Sequence, residues 1–339
     1  MKIALAVCME NPCPPVGYGG AERVADTMCR SLKELGHEVH LYCGEGSTCK
    51  YADKLIMFPN TMSSEIELNS KLAEDTYDCI IDYTAHHLVS MDFDNVWSLM
   101  GGDPFKRYRH DEVKNRVYPS REFADFNGQY NHPILPHALY PLVDDVPFYP
   151  NAKDHFVYIG GIHPMKGTAM VIDVCLKAGV KLDIYGSIKD HKYYTMLQNL
   201  LTNENINYKG ELKDEGRDDA FGEAKALLHF PLVCDADPGT AREAMSYGTP
   251  VIATPMGGVH STVIPYKTGL FIGNCKKGRK VFNGNDYNDI VDDACFILKE
   301  VDKLSRSVVR ETIKEVRDHE TYKFNLNTLC ERIKKGESW

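Results

Sequence analysis

Two acidic side chains, Asp235 and Glu243, stand out in the segment 231–254, PLVCDADPGTAREAMSYGTPVIAT. They bracket a glycine-containing turn and the first turns of a short predicted helix, which strand-like runs precede and follow. The amides that open such a helix favour an anion, and two carboxylates a helical turn or two apart can hold sugar hydroxyls. A surface helix with ordinary acidic residues explains the same pattern, and this segment alone does not separate the two interpretations.

A lysine occupies an equivalent place in the segment 156–172, FVYIGGIHPMKGTAMVI. The predicted strand ends at Gly160 and Gly161, and Lys166 precedes a helix that starts near Gly167. A lysine held at a strand-to-helix loop can neutralise charge on a departing diphosphate, and such electrostatic stabilisation is often the largest catalytic contribution. A lone lysine is usually a solvated surface residue, but its place at the mouth of a sheet favours a functional role.

A third glycine-rich loop, PPVGYGGAERV, lies near the N-terminus. Its glycines, Gly17, Gly19 and Gly20, let the backbone approach a ligand closely before the next helix begins. A dinucleotide fingerprint needs glycine at the first, third and sixth positions, but the sixth residue counted from Gly17 is Glu22. The loop therefore indicates a phosphate or sugar contact rather than a nicotinamide site, with a simple tight turn as the alternative.

Strand-like and helix-length segments alternate along the chain, as βα units require. A helix is predicted over residues 21–35, ended by Gly36, and the pattern is all-helical after residue 269. The polar, proline-bearing stretch 143–154 is typical of an interdomain linker. We expect an α/β protein with two Rossmann-like, doubly wound parallel-sheet domains, residues 1–150 and 151–318, facing a central crevice, followed by a C-terminal helix in 319–339. The strands are predicted at residues 3–7, 38–43, 78–83, 156–159, 182–185, 206–209, 226–230 and 251–253.

Composition limits the function classes. A net charge of −9 over 339 residues argues against nucleic-acid binding, which usually needs a basic face. The 11 cysteines are scattered singly, which predicts reduced, mostly buried thiols in a cytoplasmic protein. The N-terminal run has the pattern of a first strand rather than a signal peptide, and the apolar runs are all shorter than a spanning helix, so we expect at most peripheral membrane contact.

Taken together, the motifs resemble the family-4 retaining glycosyltransferases of the two-domain GT-B fold. The matching segments, which span residues 1 to about 272, are GYGGAERV with LKELGHEV, GGIHPMKG, the acid-spaced segment 235–243 with EAMSYGTPVIATPMGG, and TGLFI. The resemblance implies a nucleoside diphosphate-sugar donor bound mainly by the second domain and transfer without a metal or cofactor. It also implies that the C-terminal helix crosses back to brace the first domain.

The resemblance further implies residue roles. Lys166 would contact the donor diphosphate, Asp235 the donor sugar, and Glu243 the ribose hydroxyls, with Lys166 and Asp235 catalytic. Gly19 and Gly20 would line the diphosphate and acceptor side. The full set of expected donor-site residues is Gly19, Gly20, Gly161, Lys166, Asp235, Gly239, Thr240 and Glu243.

Several positions depart from the family pattern. Gly161 stands where an arginine is common, and Met100 stands where many members have a histidine before glycine; a Met side chain cannot donate a hydrogen bond to a sugar. Asp235 replaces the usual glutamate, the spacing from Gly239 to Glu243 differs by one, and Ser261 stands where an acid is expected. These departures predict an altered donor or acceptor pocket. His86, His87 and His163 could each supply a replacement donor, although an ordinary structural or surface role is the favoured interpretation of each.

The leading hypothesis is a retaining hexosyltransferase that moves a sugar from a nucleoside diphosphate-sugar to a carbohydrate or other small acceptor, as a monomer or homodimer. One alternative is a non-catalytic sugar-nucleotide or glycan-binding protein; another is a sugar-nucleotide epimerase, which would need an acid and base pair at the sugar ring. The Asp-x-Asp patterns at 235–237 and 92–94 are too common to predict a metal. Acceptor loops are expected at 105–111 and 119–131, while donor base, sugar and acceptor are left open.

Overall fold

The computed structural model describes residues 1–17, 19–61, 64–101, 112–139, 142–273 and 287–339. The chain folds into two units, one of Met1–Ala138 with Arg317–Trp339 and one of Leu139–Val316. Each contains a six-stranded sheet in which all neighbouring strands are parallel. The predicted α/β class with two doubly wound sheets is confirmed.

The first unit is built around a sheet of order β3-β2-β1-β4-β5-β6. Its central strands are almost wholly buried, as expected for strands covered on both faces. Helix α1 packs Val24, Met28 and Leu32 into the core, as its apolar spacing predicts. The elements are β1 Lys2–Val7, α1 Gly20–Glu34, β2 Glu38–Gly44, β3 Lys54–Phe58, α2 Ser64–Leu72, β4 Cys79–Tyr83, α3 Val89–Asp92, β5 Val96–Leu99, β6 Arg116–Val117 and α4 Arg121–Phe126.

The second unit repeats the plan with the order β12-β11-β10-β7-β8-β9. Helices α5 and α9 contribute Val171, Cys175, Ala294 and Leu298 to one core of this unit. The elements are β7 Phe156–Ile159, α5 Thr168–Ala178, β8 Leu182–Tyr185, α6 His191–Leu201, β9 Ile206–Tyr208, α7 Arg217–Gly222, β10 Leu227–His229, α8 Gly239–Ser246, β11 Val251–Ala253, β12 Gly269–Phe271, α9 Tyr287–Glu300 and α10 Arg306–Val316.

The last helix, α11 His319–Lys334, belongs to the first unit although it follows the second in sequence. Asp318 caps it by accepting a hydrogen bond from the backbone N–H of Thr321. Its apolar stripe, Leu326, Cys330 and Ile333, is buried in the core that also contains β1.

The division between the units differs from the sequence-based boundary after residue 150. Leu139 and Val143 are buried in a core of the second unit, and Val143–Asp145 forms a short 3₁₀ helix there. The polar composition of residues 143–154 indicated a linker because the anchoring apolar residues are few. The stretch after residue 269 is not wholly helical either, since β12 Gly269–Phe271 adds an edge strand to the second sheet.

Ten of the eleven cysteines lie in the described ranges; all ten are free and eight are buried. Among the described residues, every helix is too short or too polar to cross a lipid bilayer.

Candidate active site

The second sheet has a topological switch point between β7 and β10. From β7 the chain builds β8 and β9 on one side, then returns to place β10 on the other side of β7. The loops that leave the carboxyl ends of these two strands therefore lie at the place where ligands bind in parallel α/β sheets. Lys166 lies in the loop after β7, and Asp235 lies in the loop after β10.

The two loops pack directly against each other. The backbone N–H of Leu232 donates to the carbonyl of Met165 at 2.9 Å. Gly167 has φ 72°, and a Cβ there would lie 1.9 Å from the carbonyl oxygen of Phe230. Glycine is therefore required at this position both by conformation and by the close approach of the β10 loop.

This packing brings Lys166 and Asp235 together. Lys166 Nζ lies 3.3 Å from Asp235 Oδ2, and the side chains are 41% and 20% exposed, so the pair faces solvent at the mouth of the loop. Burial tends to raise the pKa of the Asp235 carboxyl, but Lys166 and neighbouring His229 outweigh it and hold the pKa below its usual value. Asp235 is therefore ionised at neutral pH.

His229, the last residue of β10, stands behind this pair. Its Nε2 lies 3.8 Å from Asp235 Oδ2. Burial lowers the pKa of His229 to about 4, although the charge of Asp235 opposes the shift. The imidazole is therefore neutral at pH 7. The sequence pattern did not identify His229, because it occupies an ordinary strand position.

Two consecutive glycines shape the loop that contains Asp235. Gly257 and Gly258 follow β11, and the backbone N–H of Gly258 donates to the carbonyl of Asp235 at 2.7 Å. A Cβ on Gly257 would lie 2.2 Å from the backbone carbonyl oxygen of Asp235, and one on Gly258 would lie 2.2 Å from the backbone carbonyl oxygen of Ala236. Gly257 and Gly258 thus fix the backbone around Asp235.

Helix α8 begins beside this loop with open amides. Among the described residues, no side chain caps its start at Pro238. Gly239 is exposed and Thr240 is half-buried. The first backbone N–H groups of α8 are therefore available to an anion.

Glu243, one turn further along α8, forms a buried ion pair with Arg217 of α7. The guanidinium donates two hydrogen bonds, from Nε to Oε1 and from Nη2 to Oε2, the latter at 2.8 Å. The side chains are only 4% and 13% exposed. The carboxylate keeps lone pairs beyond those two bonds, so the pair orients Glu243 without using all its acceptor capacity. Nothing in the sequence pattern identified Arg217.

Gly161 lies at the start of the same β7 loop. Its carbonyl accepts a hydrogen bond from the hydroxyl of Tyr158 at 3.1 Å. The ring of His163 accepts through Nδ1 from the backbone N–H of Met165 at 3.2 Å, so this histidine caps the 3₁₀ turn Pro164–Lys166. His163 thus has a structural role here, as expected.

Gly19 and Gly20 lie in the first unit, at the start of α1. A Cβ on Gly19 would lie 2.5 Å from the Pro15 side chain, whereas one on Gly20 would meet open space. Glu22 turns back into this loop and accepts from the amide of Asn11 at 3.1 Å. The structure thus gathers six of the eight predicted residues in the second unit and two at the glycine loop of the first.

At the sheet edge of the first unit, Met100 is buried at the end of β5. His87 is buried too, with Nδ1 3.6 Å from Asp82 Oδ1, and Asp82 also accepts from the Thr84 hydroxyl at 2.7 Å. Burial and these contacts give His87 a structural role, whereas His86 is exposed. The predicted acceptor loop 105–111 lies outside the described residues.

The two carboxylates of 235–237 have different partners. Asp237 Oδ1 lies 3.7 Å from Arg242 Nε and accepts from the Thr262 hydroxyl at 3.3 Å, while Asp235 faces Lys166. In the described ranges, His, Cys, Asp and Glu form no group of three or more arranged to hold a metal ion.

A cavity of about 590 Å³ lies elsewhere in this unit, at the amino ends of its strands. Charged groups of this cavity already have partners in the protein. Lys225 pairs with Asp302 at 3.0 Å, and Arg306 donates to the backbone carbonyls of Tyr149, Gly222 and Ala224. Because parallel sheets bind ligands at the opposite, carboxyl edge, the candidate site lies at the Lys166–Asp235 loops rather than at this cavity.

Residues 146–279, which include these loops, match the family model described as Glycosyl transferases group 1. None of the curated proteins compared with the chain matches it.

Solved structures share the fold along almost the whole chain. AviGT4, a glycosyltransferase involved in avilamycin A biosynthesis, is 21% identical with a TM-score of 0.78, covering 100% of this chain and 99% of its own. Sucrose-phosphate synthase from Thermosynechococcus elongatus is 15% identical with a TM-score of 0.76, covering 99% and 100%. HepE from Anabaena, in complex with UDP-glucose, is 13% identical with a TM-score of 0.67, covering 97% and 98%. The chain therefore has the GT-B fold, and the match to Glycosyl transferases group 1 is confined to residues 146–279.

Proposed function

We propose that the protein is a glycosyltransferase that moves a sugar from a nucleoside diphosphate-sugar donor to a carbohydrate or other small acceptor. The observation that carries the proposal is the meeting of Lys166 and Asp235 at the switch point of the second sheet, 3.3 Å apart and open to solvent. The match of residues 146–279 to Glycosyl transferases group 1 supports it, as do solved structures of similar fold with UDP or UDP-glucose bound.

In this proposal the donor diphosphate lies between Lys166 and the first amides of α8. The Lys166 ammonium and the N–H groups near Gly239 and Thr240 stabilise the negative charge that develops as the glycosidic bond loosens. Gly161 has no side chain and therefore leaves space at the start of the loop after β7. Asp235 contacts the donor sugar and orients Lys166 until substrate arrives.

Glu243 accepts hydrogen bonds from the ribose hydroxyls in the same arrangement. Arg217 holds the carboxylate in one orientation, because a bidentate guanidinium contact fixes both of its oxygens. A fixed acceptor binds a pair of hydroxyls with little loss of side-chain freedom. Gly19 and Gly20, at the start of α1 in the first unit, keep the role that the sequence resemblance implies for them.

We propose further that transfer proceeds with retention at the anomeric carbon and without a metal ion, as the sequence resemblance implies. Asp235 and Asp237 each pair with a side chain of the protein, Asp235 with Lys166 and Asp237 with Arg242, and this supports metal-free transfer. Product anomers read by NMR test retention, and activity in the presence of EDTA tests metal independence.

The deciding experiment measures donor hydrolysis and transfer with UDP-, GDP- and dTDP-sugars for the wild type, Lys166→Ala and Lys177→Ala. Lys177 is an exposed lysine of α5 that pairs with Asp292, and it serves as the matched control. We expect Lys166→Ala to lower the rate by roughly a hundredfold or more, because an electrostatic contact to the transition state is lost. Lys177→Ala should retain the wild-type rate.

Undiminished activity in Lys166→Ala would contradict the role of that residue. Nucleotide-sugar binding without turnover would instead support the non-catalytic relative, which Gly161 and Met100 motivate. Conversion of the donor sugar in the absence of any acceptor would indicate an epimerase.

A further inference from the structure

The loops after β7 and β8 remain paired beyond the ends of both strands. The backbone N–H of Ile162 donates to the carbonyl of Ser187 at 2.9 Å, and that of Lys189 donates to the carbonyl of Ile162 at 3.3 Å. Ile162 and Ile188 form a parallel bridge at the same place. The β8 loop is therefore held against the loop that ends in Lys166.

Glycines set how closely these loops approach. A Cβ on Gly186 would lie 1.8 Å from the carbonyl oxygen of Gly160. A Cβ on Gly161 would lie 3.1 Å from Cγ of Lys189. The aliphatic stem of Lys189 thus lies against the space that the missing Gly161 side chain leaves open. Lys189 as a whole is exposed, as expected when a lysine stem lies on the protein and its ammonium reaches water.

The charge of the site described above calls for a further cation. Lys166 and Asp235 cancel each other as a pair, and His229 is neutral because burial lowers its pKa to about 4. A nucleoside diphosphate-sugar brings a doubly charged diphosphate to the same loop. Besides Lys166 and the first amides of α8, a further positive charge near this loop would strengthen binding of the diphosphate beside an ionised Asp235.

We propose that Lys189 is a diphosphate-binding residue of this site, and that its side chain extends across Gly161 to the donor. The proposal rests on the function proposed above and adds a specific residue to it. Lys189, in the β8 loop, supplies the additional positive charge. Gly161 has no side chain, so the aliphatic stem of Lys189 fits against it.

The test is calorimetric binding of UDP, GDP and dTDP, with uridine, guanosine and thymidine as probes that lack the diphosphate. Four full-length proteins are compared: wild type, Lys189→Ala, Lys192→Ala, and the double variant Gly161→Arg/Lys189→Ala. Lys192, an exposed lysine on the first turn of α6, is the matched control. In the double variant, removal of the Lys189 stem leaves room for an arginine at 161, which restores one cation beside the loop.

We expect Lys189→Ala to weaken binding of the preferred diphosphate by roughly tenfold or more, because a charge-assisted contact is lost. Binding of the matching nucleoside should be unchanged, and Lys192→Ala should bind like the wild type. The double variant should recover a large part of the lost affinity.

Equal diphosphate affinity in Lys189→Ala and wild type would overturn the proposal. An equal loss for the diphosphate and for the nucleoside would also overturn it, because it would show a structural role. Failure of the wild type to bind UDP, GDP and dTDP alike would instead refute the proposed function, so the two failures are distinguishable.

Discussion

Arg217 and Glu243 show how a single side chain can depend on a partner that is distant in sequence. Both are largely buried, and the carboxylate on α8 receives two hydrogen bonds from the guanidinium on α7. Removing one partner of such a pair leaves the other charge buried without compensation, which costs far more than breaking an exposed pair.

We predict that Arg217→Ala lowers the free energy of unfolding of the second unit by about 3–5 kcal/mol. The control is Lys177→Ala, which breaks an ion pair whose side chains are half-exposed, 50% and 61%, and should cost under about 1 kcal/mol. Urea denaturation measures both. A loss for Arg217→Ala no larger than that of the control would show that Glu243 does not depend on this pairing.

His229 predicts a pH dependence of stability. Its pKa in the folded protein is about 4, below the ordinary value of 6.5, because burial disfavours the cation. Between those values the unfolded chain binds a proton that the folded chain does not, so the wild type loses stability as pH falls from about 6.5 to 4. The loss attributable to this group is up to roughly 3 kcal/mol.

His229→Asn should remove this contribution while keeping a polar group of similar size. As pH falls from 7 to 4, the free energy of unfolding of the variant should rise relative to that of the wild type by up to roughly 3 kcal/mol. Urea midpoints at several pH values measure this difference. Taking the difference cancels the titration of other groups. A difference that is constant over this range would contradict the prediction.

At the scale of elements, the site depends on loops that only glycine allows. Gly167 and Gly179, at the two ends of α5, have nearly the same left-handed φ of 72° and 67°. A Cβ on Gly167 meets the carbonyl of Phe230, whereas one on Gly179 meets open space. Alanine substitutions at these two glycines therefore separate the free-energy cost of a left-handed conformation from the cost of close packing.

We predict that Gly179→Ala costs about 1 kcal/mol, from its conformation alone. Gly167→Ala should cost on the order of 2 kcal/mol more, because the β7 and β10 loops must move apart. Thermal denaturation of both variants checks the difference. Equal losses would mean that the β10 loop yields without cost.

Other elements were predictable to different degrees. The strands after which Lys166 and Asp235 stand, β7 and β10, appear in the sequence as short apolar runs and lie where they were predicted, within one residue at each end. The strands that were missed, β3, β5, β6 and β12, lie towards or at the edges of the sheets and have two to five residues. Strands this short show no clear hydrophobic period in the sequence, and they form because they pair with a neighbouring strand.

At the scale of the whole molecule, the chain returns to its first unit through α11. Leu326 is fully buried in that unit's core, while Phe324, on the same helix, is 70% exposed. The first unit thus consists of two stretches of chain separated by all of Leu139–Val316.

We predict that Leu326→Ala destabilises the first unit by about 2–5 kcal/mol, because it leaves a cavity in a packed core. Phe324→Ala, the control on the same helix, should change stability by less than about 1 kcal/mol. Urea unfolding followed by hydrogen exchange identifies the unit affected. Loss of protection in β7 to β12 rather than in β1 to β6 would contradict this assignment.

Sequence alone determined the class of the protein, because apolar runs, helical periods and glycine positions are local properties. It also placed Lys166 and Asp235 in loops that follow strands, and therefore at the carboxyl edge of a parallel sheet. These inferences need only the identity of near neighbours along the chain.

Tertiary structure decided which loops meet. The order of strands puts β10 beside β7, which joins Lys166 to a carboxylate 69 residues away. It also pairs Glu243 with Arg217 and keeps His229 neutral. Each of these depends on burial and contact between distant segments, and local composition does not carry that information because many strand orders satisfy the same local pattern.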